Sequence, residues 1–274
     1  MLSRAFRTAA AASMLLLAAP ACDVGEITAG GPGDDPEAHG GGPGDTDAIP
    51  GAPDGVEPTS APFSFFVTSI ESMRMLSGSQ DGFGGDLGGL AGADQICQTI
   101  GANAGAGDKT WRAFLSVANG PGGAPIHARD RVGAGPWYDR NGRVVAQDLG
   151  GLLQERPDGD VTIVSDLPNE LGIPQMQFGD NHDVMTGTNE LGMLDGVDPS
   201  ATCNDWTSSV GPGSEGLVRT GHSWPAGSGA SWMRAHRLRG CAAGVNLVQD
   251  GGGSGNCVGC SGGYGAIYCF SLEP

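Results

Sequence analysis

Residues 90–117 read LAGADQICQTIGANAGAGDKTWRAFLSV, and the change of hydrophobic period inside this stretch decides the fold class. Ile96 and Ile100 stand four positions apart, which places both on one face of a helix over 90–103. Asp94 falls near the end where the helix dipole favours an acid, and the glycines between Gly101 and Gly105 end the helix. Beyond them Trp111, Ala113, Leu115 and Val117 alternate with their neighbours, the two-residue period of a strand. Upstream, residues 63–70 (FSFFVTSI) are β-branched and aromatic and read as another strand, followed by a Gly-rich turn region from Gly78 to Gly89. Short strands, one or two helices and many turn formers predict an α+β domain.

Composition bounds the rest. The chain has 274 residues, of which 50 Gly and 18 Pro make about a quarter, so one compact domain plus unstructured sequence fits better than two domains. With 14 basic residues against 31 acidic ones the formal charge is −17, which repels a phosphate backbone and excludes nucleic acid as a ligand.

The N-terminus reads as a signal peptide over 1–21: Arg4 and Arg7, an apolar run from Ala9 to Ala19 too short to span a bilayer, then Ala19-Pro20-Ala21-Cys22. Small residues directly before a Cys resemble a bacterial lipobox, which implies lipid attachment at Cys22. The expected location is the bacterial cell envelope, at the outer membrane or cell surface, with a secreted or periplasmic product as the alternative. Residues 22–62 follow as an acidic tether: from Asp23 to Pro62 there are 10 Gly, 7 Pro and nine acidic residues, with no Lys or Arg. Such a segment buries too little apolar surface to order itself, and as a flexible chain it reaches roughly 35 Å. Two of the 14 basic residues lie in the leader and nine of the 31 acidic ones in the tether, so residues 63–274 keep 12 against 22, a charge of −10.

Within 63–274 the order of motifs resembles the endostatin domain, the C-terminal module of collagens XV and XVIII, and bacterial lipoprotein relatives of unknown function. The marks are Leu90-x-Gly92-Ala93-Asp94-x-x-Cys97, Trp111-Arg112-Ala113-Phe114-Leu115-Ser116, Asp130-Arg131 and Gly142-Arg143-Val144-Val145. They continue with His182 to Thr188 (HDVMTGT), Cys203-Asn204-Asp205-Trp206, Cys260 and Tyr268-Cys269-Phe270. The resemblance implies a C-type-lectin-like fold: a twisted antiparallel sheet with two short helices, stapled by disulfides, its termini together and loop insertions at 150–180 and 207–256. Family ligands do not carry over. Endostatin holds zinc mainly through histidines at its start, whereas this domain begins Phe63-Ser64-Phe65 and has no His before His127. Heparin binding needs a basic surface and this one is acidic; Leu167-Pro168-Asn169-Glu170 has the wrong order for a lectin calcium loop.

Apart from Cys22 there are six cysteines, and an even count in an exported chain reads as disulfides. The resemblance implies Cys97–Cys269 and Cys203–Cys260, leaving Cys241–Cys257 as the third bridge. The spacing Cys257-Val258-Gly259-Cys260 also suits a redox or zinc motif, but a lone pair beside other exported cysteines favours structural bridges.

Other motifs carry less. Gly259-Cys260-Ser261-Gly262-Gly263 matches a nucleophile elbow, yet no His follows Ser261. Residues 101–110 (GANAGAGDKT) miss a phosphate loop by Asp108. The histidines show no H-x-H or H-E-x-x-H spacing. Two acidic clusters, Asp180, Asn181 and Asp183, then Asp195, Asp198 and Asp205, suit calcium or ordinary turns. No other cofactor is expected. These features predict a surface-tethered, non-catalytic binding or structural module for an extracellular protein, a glycan or envelope material. The alternative is an exported metal-assisted hydrolase using the acidic clusters with His182 or His222.

Overall fold

Phe65 lies opposite Phe270 and Val67 opposite Tyr268, so the start and the end of the domain are neighbouring antiparallel strands, β1 (Phe65–Val67) and the last strand, Gly263–Ser271. The computed structural model describes residues 62–210, 218–224, 230–248 and 255–274. All belong to one compact unit. The expected leader, Cys22 and the tether up to residue 61 lie outside the described residues. Among the described residues no helix is long and apolar enough to cross a membrane.

The strand expected over 63–70 is cut short because Ser69 leaves the ladder to cap a helix. Its hydroxyl accepts from Ser72 N–H, and α1 (Ile70–Ser77) begins one residue later. The carboxylate of Glu170 accepts from Ser69 N–H (2.9 Å), Ser69 Oγ and Ser72 Oγ, placing an acid at the positive end of α1. Gly78 closes α1 at φ +67°, a left-handed cap that glycine adopts without strain.

Helix α2 (Gly89–Asn103) buries Ile96, Cys97 and Ile100 on one face, and β2 (Trp111–Ala113) packs beside it. Gly101 lies inside α2 rather than ending it. A Cβ there would fall 2.4 Å from Nε1 of Trp111, so glycine sets how closely helix and strand approach. Asp94 does more than favour the dipole. Its carboxylate receives Arg131 Nη2 on both oxygens (2.7 Å), Arg112 Nη1 (2.6 Å) and the backbone N–H of Ala113 (2.9 Å). One buried acid thus joins α2, β2 and the 128–131 turn.

The chain continues through a small hairpin, β3 (Trp137–Tyr138) and β4 (Val144–Ala146), and two single-turn helices, α3 (Leu149–Leu152) and α4 (Val161–Val164). It then enters the main sheet as β5 (Asp183–Met185), β6 (Val218–His222), β7 (His236–Leu238) and β8 (Gly263–Ser271), in the order β1-β8-β5-β6-β7 with β2 also on β8. The antiparallel sheet expected from the resemblance is in fact mixed. β5 runs parallel to β8, which the long connection between them allows. The domain is α+β, with few helices and a twisted sheet. Aromatic pairs run through its core, with the Trp111 ring 4.8 Å from Phe66 and the Trp232 ring 4.7 Å from Phe114.

Among the described residues three bridges form: Cys97–Cys269, Cys203–Cys241 and Cys257–Cys260. The first ties α2 to β8, as the resemblance implies. Cys203–Cys260 and Cys241–Cys257 are not made. Cys257 and Cys260 are the two ends of one turn, closed by Cys260 N–H on Cys257 C=O, which holds their Cα atoms 5.1 Å apart. Cys203 instead meets Cys241, whose carbonyl accepts from Gly85 N–H at 2.8 Å. With sequence separations of 172, 38 and 3, loop-closure entropy ranks the bridges at about 5, 4 and 2 kcal/mol.

Cys203, Asn204, Asp205 and Trp206 all have positive φ, from 49° to 65°, so this motif is a left-handed turn. Each such residue costs about 1–2 kcal/mol. The Asp205 carboxylate offsets this by accepting from Ala118 N–H (2.6 Å) and Asn119 N–H (3.0 Å), while Trp206 Nε1 donates to Ser116 C=O (2.8 Å).

Candidate metal centre

Side chains two apart on a strand share a face, and so do cross-strand partners. Asp183 lies opposite His222, Met185 opposite Thr220, and Thr220 opposite His236. Asp183, Thr220, His222 and His236 therefore project from one face of three adjacent strands. His182 directly precedes β5, where the register against β8 shifts, and its ring stacks on that of His222 with centroids 4.2 Å apart and planes 11° from parallel. The backbone of β6 can lie this deep because Gly221 has no side chain: a Cβ there would fall 1.6 Å from the Trp232 carbonyl.

The three imidazoles offer ring nitrogens that all lie within 4.8 Å of one another. His182 Nδ1 contacts Asp180 Oδ1 at 2.6 Å, so its Nε2 is the nitrogen facing the cluster, 3.8 Å from Asp183 Oδ2. Asp183 Oδ1 accepts from Thr220 Oγ1 (2.7 Å) and contacts His236 Nδ1 (2.9 Å). Among the described residues Asp183 Oδ2 is buried and has no hydrogen-bond partner. Neither do the two ring nitrogens of His222, whose side chain is fully buried. Such orphans are rare in folded proteins and call for an explanation. The same holds for Trp224, which stands edge-on to both stacked rings: its buried Nε1 has no hydrogen-bond partner among the described residues, whereas the indole N–H groups of Trp111, Trp137, Trp206 and Trp232 all reach carbonyls.

Burial, reinforced by His182, His236 and Arg156, pushes His222 down to about 2. Arg156 lies close because its guanidinium donates to the carbonyls of His222 (2.6 Å) and Ser223 (2.7 Å). His236 is displaced the other way, upward, chiefly by its hydrogen bond to Asp183. His222 is thus held neutral with its lone pair available, the form a metal ion requires. The three imidazole nitrogens match the histidine part of a zinc-type donor set, with Asp180 and Asp183 as carboxylates against the far nitrogens of His182 and His236.

The acidic residues expected at a calcium site do not converge. Asp195 is clamped by Arg219 Nε and Arg237 Nη2, both at 2.7 Å, Asp198 caps the 199–201 turn through Ser200 N–H, and Asp205 holds the left-handed turn. Asn181 Nδ2 donates to Gln175 Oε1. Asp180 and Asp183 belong to the histidine cluster. Sequence reading names His182 and His222 but not His236, since widely spaced histidines show no motif until strand pairing aligns them.

A cavity of about 420 Å³ lies elsewhere, between α1, the end of α2 and residues 169–178, lined by Met75, Ile100, Leu171 and Phe178 among others. It shares no residue with the histidine cluster. No protein-family model matches the chain, and no curated protein matches it.

Proposed function

We propose that this protein is an exported, envelope-anchored module that binds a transition-metal ion, zinc by preference, through His182, His222, His236 and Asp183. The observation that carries the reading is the convergence of three imidazoles with buried atoms that find no hydrogen-bond partner among the described residues: the nitrogens of His222 and Oδ2 of Asp183. Imidazole-rich sets select zinc, copper or nickel over calcium, which takes oxygen ligands. The anchoring rests on the leader, Cys22 and the tether; the endostatin-like, C-type-lectin-like assignment rests on the motif order, the neighbouring β1 and β8, and the Cys97–Cys269 bridge. In this reading the module is non-catalytic, its metal holding together three strands or contacting a surface ligand.

Purified full-length protein should carry about one zinc ion per chain, and zinc returned to chelated protein at 100 times its dissociation constant should add about 2.7 kcal/mol, several degrees of melting temperature. Calcium and magnesium should leave the midpoint unchanged. His236→Ala, a change at a partly exposed side chain, should abolish the zinc shift while the domain stays folded. Equal midpoints with zinc and with chelator would overturn the reading.

A second reading is favoured by one observation. The side chain of His236 is 44% exposed, so an ion there is reachable from solvent, as in a metal-assisted hydrolase. Zinc-dependent turnover of an ester, peptide or glycoside substrate, lost in His182→Ala, would establish it.

A further inference from the structure

The three bridges differ in burial. Cys97, Cys269, Cys203 and Cys241 are fully buried, whereas Cys257 is 8% exposed and Cys260 is half-buried. Only three positions separate Cys257 from Cys260, so this bridge restrains the chain least and can open without releasing a distant segment. The turn that carries it is preserved by its own backbone bonds: Cys260 N–H to Cys257 C=O, Val258 N–H to Ala242 C=O, and Gly262 N–H to Gly259 C=O. Only backbone flanks the sulfurs on two sides, since a Cβ at Gly244 would fall 2.5 Å from Cys257 Sγ and one at Gly255 2.2 Å from Cys260 Sγ. The N–H of Cys257 points at Cys260 Sγ at 3.3 Å, a contact that favours negative charge on that sulfur once the bridge is open.

We propose that Cys257–Cys260 is a thiol–disulfide exchange site, with Cys260 as the exchanging sulfur and Cys257 as the resolving one. Its substrate class is an external thiol–disulfide couple, either a small thiol or paired thiols on another exported protein. An external thiolate attacks Cys260 Sγ, the S–S bond breaks, and the bonding pair leaves on Cys257 Sγ, which takes a proton from water. A mixed disulfide remains on Cys260. A second external thiolate attacks the outer sulfur of that mixed disulfide, releasing Cys260 as a thiol, so two thiols are oxidised to one disulfide and the bridge is reduced by two electrons. In reverse, the Cys260 thiolate attacks a substrate disulfide and Cys257 displaces the product thiol. This activity stands apart from the metal reading, since neither sulfur belongs to the histidine cluster.

Glutathione is the probe. Full-length protein is held in graded glutathione buffers without denaturant, quenched by alkylation and mapped by mass spectrometry. Cys257 and Cys260 should be alkylated at least about tenfold faster than the other four cysteines, with near-ultraviolet circular dichroism unchanged. Cys257→Ser should accumulate glutathione on Cys260, and Cys260→Ser should accumulate less on Cys257. Opening of all three bridges together, only as the fold is lost, would overturn the proposal, as would equal adducts in the two variants.

Discussion

Asp180 Oδ1 lies 2.6 Å from His182 Nδ1, and this contact decides which face of the imidazole is free. Carboxylates placed behind ligating histidines fix the tautomer and raise the basicity of the other nitrogen. Replacing Asp180 with Asn should therefore weaken zinc binding about 10–100-fold while the domain remains folded. Competition against a chromophoric chelator measures this, and an unchanged dissociation constant would remove His182 from the ligand set.

Gly262 forms the wall behind the same pair. Its φ is +128°, and a Cβ would fall 2.5 Å from His182 Cε1 and 2.9 Å from Asp180 Oδ2. Its carbonyl also accepts the N–H groups of His182 and Asp183. Gly262→Ala should cost about 1–3 kcal/mol from backbone strain alone and should lower zinc affinity as His182 is displaced. Urea unfolding with and without zinc separates the two effects.

Asp94 supports the fold far from the histidines. Its side chain is 11% exposed and that of Arg131 10%, so Asp94→Ala leaves a buried guanidinium without its counter-charge. Removing one partner of such a pair typically costs 3–5 kcal/mol, and a fall of that order in unfolding free energy is expected. A loss under about 1 kcal/mol would show that the pair is solvated like an ordinary surface ion pair.

His222 makes a distinct contribution to the pH dependence of the metal-free protein. Its folded value is pushed down to about 2, whereas the unfolded chain takes up the proton near 6.5, the ordinary histidine value. Between those values the unfolded state binds more protons, so stability falls as pH falls, by up to about 1.4 kcal/mol per unit. His236, raised by Asp183, acts in the opposite sense: its contribution is full below the unfolded value and is lost as pH rises through the folded one. Asp166, raised to about 6 by burial, also acts against His222 as pH falls, so the difference is the readout: between pH 7 and pH 5 chelated wild-type protein should lose stability relative to His222→Asn. Equal losses would mean that His222 is protonated in the folded domain.

Local pattern alone determined much of the scaffold. The four-residue spacing of Ile96 and Ile100 marks the buried face of α2, and the alternation from Trp111 marks β2, because helix and strand periods are properties of neighbouring residues. The α+β class follows from the same signals. Tertiary structure decided what contacts across the chain control. Ser69 ends β1 because Glu170, a hundred residues on, meets it there; Gly101 continues α2 because Trp111 packs against it. Cysteine partners depended on which backbones lie side by side, so Cys203 joins Cys241 and Cys257 turns back on Cys260. The histidine cluster is the extreme case. His182, His222 and His236 share no spacing in the chain; the registers of β5 on β6 and of β6 on β7 bring His222 and His236, with Asp183, onto one face, and His182 joins them from the irregular start of β5. Register is a long-range quantity, set by how whole strands pair, and no window of sequence contains it.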